Sequence, residues 1–186
     1  MSLMKALLVV STAIDLVNKK LGEWISYFTF LMALITFVVV ILRYGFNMGW
    51  IAMQESVTYL HAAVFLLGSA YTLQHDGHVR VDVFYRRFNA KRKAVVNLIG
   101  SLFLLIPVMA FISIVSWHYV AESWQTLEGS MESGGLPFLY VLKSFILVFS
   151  LTMLLQGISE VIKQVLVLVG INSNKAELNA SQDEAN

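Results

Sequence analysis

Residues 24–42 read WISYFTFLMALITFVVVIL and carry no charged side chain. A helix needs roughly 20 apolar residues to cross the hydrocarbon layer of a bilayer. The run does not alternate apolar with polar residues, so it does not read as a strand of a barrel. Three further runs of the same kind follow at 51–73, 94–117 and 138–158, the third with Pro107 inside it. The whole chain is 58% hydrophobic and 13% charged, where soluble domains carry about a quarter charged residues. These features predict an all-α membrane protein with four transmembrane helices. They form a single domain over 1–170, followed by a polar tail at 171–186 whose composition predicts disorder. Cysteine is absent, which excludes disulfides, thiolate metal sites and a Cys nucleophile.

Outside the four runs, two segments read as amphipathic helices. Before the first run, Leu3, Leu7, Val10, Ile14, Val17 and Leu21 recur at helical spacing, with Lys5, Ser11, Asp15, Asn18 and Lys19 on the other side. One lysine and no convincing small-residue cleavage pattern argue against a signal peptide. The expectation is an amphipathic helix lying in the membrane interface. Between runs two and three, Val81, Phe84, Tyr85 and Phe88 form a second apolar stripe, with Arg80, Asp82, Arg86 and Arg87 away from it. That helix is expected to lie along the inner leaflet.

Basic residues are segregated. Lys19 and Lys20 precede run one, and Arg80, Arg86, Arg87, Lys91, Arg92 and Lys93 lie between runs two and three. Between runs three and four there is no Lys or Arg, but there are Glu122, Glu128 and Glu132. By the excess of Lys and Arg in cytoplasmic loops, both termini and the basic segment face the cytoplasm. The 43–55 hairpin and the acidic loop face outward. These cations serve either as anchors to anionic lipid headgroups or as a solvated topology signal.

The hairpin between runs one and two, RYGFNMGWIAMQE, places Arg43 at the end of one helix and Glu55 in the first turn of the next. Each charge would oppose the partial charge of its own helix end, worth about 0.3–1 kcal/mol, and the two could pair. Tyr44 and Trp50 fit interfacial aromatics. The four residues read as hairpin-end structure or as a functional surface.

Chemistry finds little support. His61 and His118 on neighbouring helices could ligate haem, but His61 lies some ten residues inside the outer boundary and His118 at it. A neutral His61 hydrogen-bonded to a neighbouring helix is the simpler reading. His75 and His78 are near Asp76 and Asp82, yet polar residues at a helix end are commoner than a metal site. No phosphate loop and no nucleophile–base constellation is present. The expectation is no enzyme, no cofactor, no metal and no nucleic-acid partner. Midplane ion sites and broken helix pairs, usual in carriers, are also missing, and Lys143 is close enough to the outer side to snorkel. Small residues that permit close helix approach occur at Gly68, Ser69, Ala70, Gly100, Ser101, Ser144, Ser150 and Gly157, for internal packing or for a partner.

Arg43-Tyr44, Trp50, Glu55, LLGSAYTL at 66–73 and GHVRVDVF at 77–84 together resemble the small membrane subunit of TRAP transporters, the tripartite ATP-independent periplasmic transporters. The resemblance covers all four runs, roughly 15–168. ESGGLPFLYVLKS at 132–144 is similar to members near the branch associated with keto acids and other organic acids. The resemblance implies a small permease subunit, complete in itself, of the bacterial inner membrane. Its partners would be a large membrane subunit, a periplasmic substrate-binding protein and membrane lipids. It would be a stationary scaffold for an elevator-type large subunit, which holds the substrate site and any sodium coupling in the uptake of an organic acid. Arg43, Tyr44, Trp50 and Glu55 would stiffen the outer hairpin where the binding protein docks. Gly68 would serve helix packing, and Gly77, His78 and Asp82 would cap helix two and set the angle of the inner helix. The rival readings are an independent small oligomeric transporter, and a haem or quinone anchor of a redox complex.

Overall fold

The computed structural model describes residues 2–78 and 85–170, and these are helical with no strand. Helix α1 runs Ser2–Gly45. At 1.5 Å per residue it is about 66 Å long. The expected interfacial helix and the first span are therefore one continuous rod. The only glycine between them is Gly22, and there the Tyr71 ring packs so closely that no Cβ would fit.

The second span is α2, Ile51–Leu67, and α3, Ser69–Gln74, joined at Gly68. Gly-Ser pairs are common kink sites. Here the Ser69 hydroxyl donates to the Phe65 carbonyl at 2.6 Å and the Thr72 hydroxyl to the Gly68 carbonyl at 3.0 Å, bonds of the kind that bend helices. After α3 the Asp76 N–H donates to Leu73 at 3.1 Å and the Gly77 N–H to Thr72 at 2.8 Å. Asp76 has φ 58°. This is a Schellman end in which aspartate, not glycine, takes the left-handed position.

The third span begins at α4, Ala90–Gly100, whose N-cap Asn89 accepts from the Arg92 N–H at 2.9 Å. It widens into a π-helical stretch, Ser101–Leu105, and continues as α5, Ile106–Gln125. Pro107 explains the change: it has no N–H to give, and its ring would crowd the carbonyl of an upstream α-turn. Spans two and three are thus interrupted, where the sequence reads as plain helices.

Helix α6, Leu139–Leu168, is the centre. It packs against α1, α2, α3, α4 and α5, whereas α5 packs chiefly on α6 alone. Ala70, Met109 and Met153 form the buried apolar cluster, with Leu105, Ile112 and Phe149 around them. Gly157 lets Leu105 and Ile106 of the third span come close. Ser150 bonds Ser113 at 2.8 Å, and Ser144 accepts from Trp124 Nε1 at 2.8 Å. The small residues of α6 therefore serve internal packing. Among the described residues, four helical stretches are long and apolar enough to cross a membrane, and large apolar side chains such as Phe30, Phe37, Phe111 and Ile114 point outward. With lipid as solvent, burial of such groups gives no gain, and helices associate through small residues and hydrogen bonds.

Candidate assembly surfaces

At the end of the bundle that holds the 43–55 hairpin, Glu55 sits one turn inside α2 rather than in its first turn. One carboxylate oxygen accepts from the Ser130 hydroxyl and the other from the Leu136 N–H at 2.6 Å. Glu55 therefore clasps the loop between α5 and α6. The loop is folded to fit: the Ser130 N–H donates to the Leu136 carbonyl at 3.0 Å, and Gly134 has φ 80°. A Cβ on Gly135 would strike Ser130 and the Glu55 carboxylate. The expected pairing of Arg43 with Glu55 does not occur. Arg43 is exposed, and the carboxylate is occupied by the loop. Tyr44 is 82% exposed; Trp50, 60% exposed, is the residue before α2.

Beside this clasp, Glu128 accepts from Lys143 Nζ and from the Ser123 hydroxyl. Lys143 also lies over the Tyr119 ring, 4.0 Å from its centroid. Lys143 does not snorkel outward; it is drawn onto its own bundle. The Lys143 hydrogen bond, then that of Ser123, hold the Glu128 carboxyl below its ordinary value.

At the opposite end, the polar side of the N-terminal segment meets α6. The Ser11 and Ser159 hydroxyls are 2.8 Å apart, and Asn18 Nδ2 donates to Gln156 Oε1 at 2.8 Å. Asp15 accepts from Gln156 Nε2 at 3.0 Å and from the Ser159 hydroxyl at 2.8 Å. Its other oxygen pairs with Lys163 at 2.6 Å, and Lys163 reaches Glu160 at 3.2 Å. Ser11, Asn18, Gln156 and Ser159 are buried, whereas Val10 and Val17 are exposed. The amphipathic reading of this segment holds in its periodicity but not in its partner: the polar face binds α6. Sequence reasoning missed this network. The signal was present in Ser11, Asp15 and Asn18 matched against Gln156, Ser159 and Lys163, both sets on one helix face.

Of the basic residues, Lys19 pairs with Glu23 at 3.9 Å and Lys20 is exposed. Arg86, Arg87, Lys91 and Arg92 are exposed. Lys93 lies 5.2 Å from the Tyr85 ring centroid, and the Tyr85 hydroxyl donates to Asn97 at 3.1 Å. Tyr85 and Phe88 are half-buried, as their stripe predicts; Arg80, Val81, Asp82 and Phe84 lie outside the described residues. Gly77 contributes its N–H to the end of α3, and His78 is exposed. Gly68 is the junction between α2 and α3, and its Cβ would meet its own helix's Val64 carbonyl. His75 Nδ1 bonds the Tyr71 carbonyl at 2.9 Å. Among the described residues His61 is not bonded to a neighbouring helix. It is exposed on α2, lying near-parallel to Phe65 at 6.4 Å.

The comparisons agree with this architecture. Residues 32–167 match the family model described as tripartite ATP-independent periplasmic transporters, DctQ component. A Haemophilus influenzae protein named for the small permease of a TRAP transporter is 30% identical over 90 residues, 48% of this chain and 56% of that relative. The chain thus spans little more than half the length of that curated relative. No solved structure matches. Four apolar spans and a family match that runs from within the first span through the fourth place the chain, as a membrane component, in the DctQ family of the tripartite ATP-independent periplasmic transporters.

Proposed function

We propose that this chain is the stationary wall of a TRAP permease. It lies in the bacterial inner membrane with both termini and the basic segment on the cytoplasmic side. It binds the large membrane subunit, which carries the substrate and sodium sites and moves as an elevator during uptake of an organic acid. The hairpin and the clasped loop face the periplasm, where a substrate-binding protein docks.

The observation that supports this reading most is the use made of polar side chains at the helix contacts. Asp15, Asn18, Gln156, Ser159 and Lys163 bind one another across α1 and α6. Glu55 and Glu128 bind the α5–α6 loop and Lys143. Groups held this way fasten helices. A carrier site needs polar groups free to trade partners with a solute or ion.

Reconstitution tests the reading. Liposomes containing this chain alone should accumulate no organic acid under an inward sodium gradient. Adding the large subunit and the loaded binding protein should start uptake, and omitting this chain should stop it. Accumulation by this chain alone would sink the proposal, as would full uptake without it.

A further inference from the structure

We infer that the exposed stripe of α2 through Thr58, His61 and Phe65 is the seam on which a transmembrane helix of the large membrane subunit packs, presenting a hydrogen-bonding side chain opposite His61. The inference rests on the proposed assembly with that subunit.

Gln54, Thr58, His61 and Phe65 recur at spacings of four, three and four, which puts them on one helix face. Thr58 and His61 are exposed, and Phe65 is 71% exposed. Apart from α3, which continues the same span, and the loop that Glu55 holds, α2 packs on α1 and α6. Among the described residues, no hydrogen bond from either reaches the Thr58 hydroxyl or the His61 ring. His61 lies ten residues past the start of α2, about 15 Å along the helix axis. Glu55, which clasps a loop at that end, lies six residues nearer it, so His61 is about 9 Å deeper than the clasp and inside the hydrocarbon layer.

Lipid chains offer neither donor nor acceptor at that depth. Ionisable side chains within spans therefore face protein or a water-filled cavity. The other exposed faces differ. On α1 the stripe is Tyr27, Phe30, Phe37 and Tyr44, and on α5 it is Phe111 and Ile114, all large and all more than half exposed; the exposed His118 follows on that α5 face one turn nearer the end that carries the acidic loop. Thr36 on α1 satisfies its hydroxyl within its own helix, at 2.8 Å from the Met32 carbonyl. Those faces suit lipid. The α2 face needs a polar partner, and a helix from a second membrane subunit supplies one.

The chain has no cysteine, so a benzophenone probe can be attached at one chosen position. Thr58→Cys, Phe65→Cys, Phe37→Cys and Phe111→Cys would each be co-expressed with the large subunit and irradiated. Adducts with the large subunit are expected from positions 58 and 65 and not from 37 or 111. His61→Leu should lower recovery of the large subunit about tenfold, near the upper end for one interhelical hydrogen bond. Its own melting temperature should not change, and His61→Gln should retain the complex. Adducts from 37 or 111 alone, adducts between two copies of this chain, labelled lipid alone, or wild-type recovery with His61→Leu would each overturn the seam. Failure of the unsubstituted pair to co-purify would refute the assembly itself, and the seam with it.

Discussion

Glu55 and Glu128 show how one carboxylate can hold a loop in place outside the bilayer core. Glu55 reaches across to the 130–136 turn, and Glu128 is gripped by Lys143 and Ser123. The Glu128 carboxyl titrates below its ordinary value because the Lys143 bond, and then the Ser123 bond, favour its charged form. A depressed folded-state value means that the contribution is fully present above the ordinary carboxylate range. It is lost as pH falls through the folded value. Thermal unfolding of the purified chain in detergent should show this loss on acidification below the carboxylate range, and Glu128→Gln should flatten that limb of the profile. An unchanged acid limb in the variant would count against the assignment. The Glu128–Lys143 pair was hidden in the sequence because 15 residues separate its members. Only the reversal of the chain between α5 and α6 brings them together.

Helices α1 and α6 are joined by a network of polar side chains. Gln156, fully buried, accepts from Asn18 and donates to Asp15. Replacing Gln156 by Leu leaves the buried Asn18 amide without its acceptor, while Asp15 keeps Ser159 and Lys163, at a cost of about 1–3 kcal/mol for a buried group left unsatisfied. Asn18→Leu alone should also destabilise. The double variant should recover part of the sum, because it removes donor and acceptor together. Melting temperatures in one detergent would measure the coupling, and strict additivity would show that the bond contributes nothing. The polar periodicity of 11–18 was legible, and so was that of 156–163. What was not legible is that they face each other. A polar stripe near a membrane boundary reads equally well as directed to headgroups, and the choice depends on the path of a helix in three dimensions.

For the molecule as a whole, α6 is the hub, and α5 is tied to the rest through it and through the loop that Glu55 clasps. The proposed orientation puts that loop outside. Met131 at its tip is 95% exposed. In intact cells Met131→Cys should react with an impermeant maleimide, while Lys91→Cys should react only after the membrane is opened. The reverse pattern would invert the topology. Four spans, their approximate limits and the segregation of charge could be read from composition and periodicity alone. These depend on local hydropathy and on distances along one helix. The interruptions at Gly68 and Ser101–Leu105 were not legible, because a Gly-Ser pair serves helix packing as readily and Pro107 by itself does not give the length of the stretch it alters.

The amino-acid sequence alone determined that this is a four-span membrane chain, because the free energy of placing each run in lipid depends on that run and little else. Only the tertiary structure decided which polar groups are fasteners and which are left over. Asp15 finds Lys163, and Glu55 finds a distant turn, whereas among the described residues no hydrogen bond reaches the His61 ring. Hydrogen bonds act over about 3 Å, so they depend on neighbours in space, and periodicity along the chain cannot supply those.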